Sequence, residues 1–156
     1  MKGIKRAISI FVATLTMLVL TVAFASLSFA DDKETAVNLV KKAVAFYKAN
    51  GLEKSLDEFS KPQGQFVIGD IYIFVYDLKG TMLAHPNKSL IGRNLLETPD
   101  SDGKMFRKDI INIATTKGSG WVDYKYRNPK TLEEESKTTY FEKVEDVVVC
   151  CGIYKK

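Results

Sequence analysis

The sequence is poor in the residues that build metal centres, disulfide scaffolds and nucleophilic active sites. Its 156 residues include one histidine and two cysteines. A single histidine, His85, cannot make a multi-histidine metal site, and no Cys, Asp or Glu with ligand spacing surrounds it. Two cysteines exclude a disulfide framework. They are also adjacent, Cys150-Cys151, so on a strand they point to opposite faces and a bond between them is disfavoured. Ten glycines and four prolines are too few for a collagen-like or low-complexity chain. No glycine-rich phosphate loop and no C-x-x-C pair occur, and Ser89 and Ser119 sit in no nucleophile motif. Acidic residues are missing from the first 30 positions, where Lys2, Lys5 and Arg6 supply most of the formal charge of +4. The rest of the chain holds 20 basic against 19 acidic residues, so no basic stripe invites DNA or RNA.

What the N-terminus does have is an apolar run from about Ile8 to Phe24, then Ser28-Phe29-Ala30 before Asp31-Asp32. A positive start, an apolar middle and small residues at the cleavage positions predict a secretory signal peptide over residues 1–30, with Ala23-Phe24-Ala25 as a second cleavage site. The alternative is an uncleaved anchor helix. Both readings place residues 31–156, a single domain, in the periplasm or outside the cell.

Along that domain, Val37, Val40, Val44 and Tyr47 at helical spacing predict a long amphipathic helix over 32–50, ended by Asn50-Gly51. A short helical turn carries Leu52, Leu56 and Phe59 inward. Ile71–Tyr76 reads as a strand with Ile71, Ile73 and Val75 on one face and Tyr72, Phe74 and Tyr76 on the other. Asp77-Leu78-Lys79-Gly80 turns it into Thr81–Ala84. A helix over 104–117 turns Met105, Ile110, Ile113 and Ala114 inward, and strands follow at 121–127, 137–143 and 147–154. Short connections make the sheet antiparallel. The expected architecture is α+β, about five strands with the helices on the aliphatic face. The aromatic face is then left for loops and a ligand.

Tyrosines dominate that face, and tyrosine hydroxyls are rarely buried without a partner. Tyr124 and Tyr126 share one side of their strand. Hydroxyls converging with Lys137, Arg93 or His85 would give an aromatic box with cationic donors, suited to a small carboxylate. Tyr72, Phe74 and Trp121 are the expected apolar walls, and at least one cysteine is expected in the core, an exposed one being able to cross-link two chains.

An ordered set of short stretches runs through almost the whole domain. It comprises Gly69–Asp77, Gly80–Pro86 with His85-Pro86, Ile91–Asn94, Asp102–Lys104, Gly120–Tyr124, Asn128–Thr131, Lys137–Tyr140 and Gly152–Tyr154. In this the sequence resembles the single Cache domains of type 2, extracytoplasmic small-molecule sensor domains of bacteria. The resemblance implies a PAS-like Cache fold, with a long N-terminal helix packed on an antiparallel sheet and a ligand pocket on the opposite face. It implies a non-enzymatic sensor of short organic acids such as acetate, propionate, pyruvate or lactate, in chemotaxis or related signalling. The positions of His85, Trp121, Tyr124, Lys137 and Tyr140 match the family pattern. No cofactor is implied. The chain stops at Lys156 without an output domain, which suggests a standalone exported form acting with a membrane receptor or kinase, or as a homodimer through the N-terminal helix. Two other classes stay open: an interaction module without ligand, its pocket filled by residues such as Tyr72 and Tyr126, and a small periplasmic hydrolase or redox enzyme using Cys150-Cys151.

Overall fold

The structure is a computed structural model that describes residues 30–155, and the expected signal peptide lies outside them except for Ala30. Periodicity sets the first element. Ala36, Leu39, Val40, Ala43, Val44 and Tyr47 recur every three or four residues and are all buried, forming the inward stripe of helix α1, residues 30–50. Gly51 ends it at φ +78°, its N–H donating to the Tyr47 carbonyl at 2.8 Å. Helix α2, Leu52–Phe59, follows at once. Its last residue, Phe59, meets the ring of Phe66 edge-on at 4.7 Å and that of Phe46 at 6.0 Å.

The strands are β1 (Val67–Ile68), β2 (Ile71–Asp77), β3 (Met82–Ala84), β4 (Ser119–Arg127), β5 (Glu134–Val144) and β6 (Val147–Tyr154). Their order is β1-β2-β6-β5-β4, with β3 also paired to β2, and every pairing is antiparallel. The five expected strands are present. The sixth, β1, has two residues, too few for alternation to register. Strand β6 lies at the centre and all eight of its residues are buried. The β2–β3 hairpin turns as expected, with the Asp77 carboxylate accepting from the N–H groups of Lys79 and Thr81 at 2.9 and 2.7 Å.

Directly paired residues share a face. Register therefore puts Ile73, Cys151, Tyr140 and Trp121 on one side of the sheet, and Phe74, Cys150, Phe141 and Gly120 on the other. Helix α1 lies on the first side: the Lys33 ammonium stands 5.2 Å over the Trp121 ring, and the Tyr47 hydroxyl donates to Glu145 at 2.8 Å.

Helix α3, Phe106–Lys117, covers the other side, which corrects the expectation that the helices share the aliphatic face. Phe106, Ile110 and Ala114 fall one turn apart and are buried in one cluster with Tyr72, Phe74 and Tyr76. The two aromatic layers attract each other directly, Phe106 stacking on Tyr124 at 3.8 Å with the rings 3° from parallel. Residues 33–155 form one unit, and no helix among the described residues is long and apolar enough to cross a membrane.

Candidate functional site

The aromatic side of the sheet carries a buried lysine. Lys137 pairs with Tyr124 on β4 and with Tyr154 on β6, so three adjacent strands place a cation between two tyrosines. Its stem crosses β6 at Gly152. A Cβ there would collide with Lys137 Cε and come 2.7 Å from the Thr139 hydroxyl, so only glycine leaves the lysine its path. The ammonium donates to the Tyr72 and Tyr154 hydroxyls at 3.1 and 3.3 Å. It also stands over the rings of Tyr154, Tyr72, Tyr126 and Phe74, at 4.5, 4.6, 5.2 and 5.9 Å. Lys137 is 1% exposed, and no ion pair among the described residues includes it. Burial pulls its pKa down to about 8.

His85, just after β3, lies edge-on to Tyr72 at 5.1 Å between ring centroids. Its Nδ1 accepts from the Asn87 N–H at 2.8 Å, which leaves the proton of the neutral ring on Nε2. Burial, and then the charge of Lys137, hold its pKa down to about 4, so at neutral pH it is an uncharged donor. Tyr124 and Thr139 share a hydrogen bond of 2.8 Å. The Tyr76 hydroxyl accepts from Arg107 Nε at 3.1 Å. Burial pushes the hydroxyl pKa of Tyr72 up to about 12 and those of Tyr76, Tyr124 and Tyr154 upward as well, so all four stay protonated.

These groups enclose a cavity of about 10 Å³, room for no more than about one water. Of the residues expected at the site, Tyr72, Phe74, His85, Tyr124, Tyr126 and Lys137 line it. Tyr76, Met82 and Phe106 complete the lining. The lining has hydroxyl, imidazole and ammonium groups and no carboxylate, an arrangement that repels cations and welcomes an anion. Of the wider surface clefts, the two beside α2 and beside Trp121 contain no buried charged side chain, whereas a third, between Asp100, Asp123 and Lys155, is also lined by Lys137.

Three expected site residues lie elsewhere. Trp121 and Tyr140 are on the α1 side of the sheet, their ring centroids 5.2 Å apart and their planes tilted by 48°, and Tyr140 donates to Glu142. Alternation alone separates them from Tyr124 and Lys137, since odd and even steps along a strand face opposite ways. Arg93 is exposed in the loop after β3; its backbone carbonyl accepts from Met82, and its side chain does not line the cavity. Tyr76 and Tyr154 were findable by the same alternation. Arg107 gave no signal, because a charged residue in the first turn of a helix reads as solvent-facing.

Both cysteines are free and buried, in line with the expectation of at least one in the core, and neither is exposed to cross-link two chains. Burial pushes the Cys150 thiol well up and that of Cys151 to about 12, so neither is a reactive thiolate. No group of His, Cys, Asp or Glu among the described residues could hold a metal ion.

A helix-backed antiparallel sheet closing a small aromatic cavity, whose polar lining groups are hydroxyls, an imidazole and an ammonium, has the architecture of a ligand-binding sensor module. The chain belongs to the Cache domain family, whose dCache_2 sequence model matches residues 25–154. Cache domains are non-catalytic ligand-binding modules of the kind chemoreceptors carry, and the enzyme alternative falls. A solved periplasmic sensor domain of a chemotaxis protein is 25% identical, with a TM-score of 0.62 over 79% of this chain and 90% of that one. A methyl-accepting chemotaxis protein from Vibrio parahaemolyticus is 23% identical, with a TM-score of 0.71 over 85% and 95%. A Cache chemosensory domain described for its carboxylic acid recognition is 23% identical, with a TM-score of 0.69 over 82% and 96%. The last two share the fold with this chain. No curated protein matches it.

Proposed function

We propose that this Cache domain is a periplasmic sensor that binds a small carboxylate at Lys137 and passes the binding event to a membrane receptor or kinase. The observation that carries the reading is the buried ammonium of Lys137, hydrogen-bonded to tyrosines but paired with no carboxylate among the described residues. An unpaired buried charge is costly, and a ligand carboxylate in a dry site would offset that cost with a charge-assisted hydrogen bond. Tyr72, Tyr124 and the Nε2–H of His85 would orient its oxygens. The carboxylic acid recognition described for one structural neighbour supports the same class, and the periplasmic context of another agrees with the export signal expected over residues 1–30. Acetate, propionate, pyruvate and lactate are the smallest candidates.

A cavity of about 10 Å³ admits none of these without movement. Binding therefore selects a more open arrangement of the lining, and that coupling is what a sensor needs. The half-buried Tyr126, at the cavity rim, is the side chain best placed to swing out. The same small volume favours a second reading, an interaction module whose cavity stays shut. Thermal-shift and calorimetric titration of the full chain with short acids, amino acids and amines separates the two. A saturable rise in melting temperature with a carboxylate, lost in Lys137→Met, is expected for the sensor. No response to any acid overturns it and leaves the closed module.

A further inference from the structure

We propose that Lys137 is an acceptor of carbon dioxide, its side-chain nitrogen forming a reversible carbamate inside the aromatic cavity. Such a modification stands independently of the carboxylate reading above.

A carbamate forms where an uncharged amine meets carbon dioxide, and it lasts where donors rather than carboxylates surround its oxygens. Lys137 meets each requirement. It is 1% exposed and lines the cavity. Burial brings its pKa down to about 8, so at pH 7 its free-amine fraction is roughly two hundred times that of an ordinary lysine. The Tyr72 and Tyr154 hydroxyls accept from Nζ at 3.1 and 3.3 Å, two bonds that an uncharged amine keeps.

The groups that face it are neutral. They are Tyr72 on β2, Tyr124 and Tyr126 on β4, Tyr154 on β6 and His85 after β3. The Cys151 thiol on the far side of the sheet stays protonated, its pKa pushed up to about 12. The carboxylate that acts on Lys137 is that of Asp70, from beyond ion-pair distance, and it is itself paired with Lys130 at 3.2 Å.

Size and polarity favour the same entrant. The cavity of about 10 Å³ has room for about one water. Carbon dioxide, three atoms in a line, asks for less movement of the lining than any acid of two or more carbons. It is uncharged, so it passes Phe74, Met82 and Phe106 without the desolvation cost an anion meets. The lysine stem lies tight over Gly152, where a Cβ would collide with Cε, and this holds Nζ in place for attack.

The ammonium first gives up one proton. The nitrogen lone pair then forms a bond to the carbon of carbon dioxide, one carbon–oxygen π pair moves onto oxygen, and the nitrogen loses a second proton. Both protons pass to solvent, and nothing is oxidised or reduced. The new anionic oxygens lie among Tyr72, Tyr124 and the Nε2–H of His85. The Tyr72 hydroxyl, an acceptor from the ammonium, turns to donate. A buried cation is thereby exchanged for a buried anion.

Site mapping on the full chain tests this. Protein equilibrated with isotope-labelled bicarbonate at pH 7 is alkylated with a trialkyloxonium salt, which fixes a carbamate as its ester, and then digested for mass spectrometry. The chain's own α-amine, with an ordinary pKa of about 7.7–8.0, is the standard, because its free-amine fraction matches that of Lys137. The carbamate formation constant at Lys137 is expected to be about tenfold higher, the effect of one charge-assisted hydrogen bond to the product. The label is expected to leave on degassing, and its carbon NMR signal to be absent from Lys137→Met. A constant at Lys137 no higher than that of the α-amine overturns the proposal, and so does a spectrum unchanged in Lys137→Met. Mapping on the unaltered chain carries the test if Lys137→Met does not fold. The carboxylate reading is decided separately, by titration with acids.

Discussion

At the scale of single residues, the protein tolerates a buried ammonium whose solvation is replaced by tyrosine hydroxyls and aromatic faces. The cost has a pH signature. Lys137 has a pKa of about 8 in the fold, against about 10.4 in an unfolded chain. Between those values the unfolded chain binds more protons, so stability should rise with pH, by up to about 1.4 kcal/mol per unit. Urea denaturation from pH 7 to 10 should show this rise, and Lys137→Met should abolish it while being at least as stable at pH 7. Carboxylate affinity should move the other way, falling up to about tenfold per pH unit above 8 as the ammonium is lost. His85 acts at the acid end, with a folded pKa of about 4 and an ordinary value of about 6.5. Its contribution is fully present above pH 6.5 and is lost as the pH falls towards 4, so His85→Asn should flatten the acid limb of the stability curve. Lys137 and His85 were legible in the sequence because a lone histidine and a lysine among strand tyrosines stand out. Trp121 and Tyr140 fall outside the cavity because, three residues from Tyr124 and Lys137 along their strands, they face the α1 side. Arg107 was hidden, since nothing local distinguishes a buried arginine from a solvated one.

At the scale of elements, the site depends on how three strands and one helix meet. Gly152→Ala adds a single methyl, but it falls on the lysine stem where backbone positions are fixed by pairing to β2 and β5. Overpacking of this kind costs about 1–3 kcal/mol. The variant should also lose carboxylate affinity more than it loses stability, checked by denaturation and calorimetry on the same sample. Phe106→Ala removes the ring stacked on Tyr124 and should cost about 3–5 kcal/mol in urea unfolding. The elements themselves were largely readable. The stripe of α1 and the alternation of β2 persist over enough residues to reveal their periods, and the turn chemistry at Asp77–Gly80 is explicit. The side of the sheet that α3 covers was not readable, because the connection of 21 residues from β3 to α3 can pass either edge. Local pattern says which face of a helix is apolar and is silent on which layer it joins.

At the scale of the whole molecule, the near-neutral domain carries its functional charge inside. The sheet has one face against α1 and the other around the cavity, and β6 belongs fully to both. Ligand binding to the folded state alone should raise the melting temperature progressively with concentration, by the mass-action rule that a hundredfold excess over Kd adds about 2.7 kcal/mol. Differential scanning calorimetry over a ligand series checks this. The adjacent thiols extend the same measurement to each layer. Cys150 faces the cavity side and Cys151 the α1 side, both fully buried on neighbouring positions of one strand. They amount to two clocks set into opposite walls of the protein. The rate at which a small alkylating reagent reaches Cys150 times the breathing of the ligand layer, and the rate at Cys151 times that of the helical layer. An acid that fastens the cavity should slow the first clock and leave the second running.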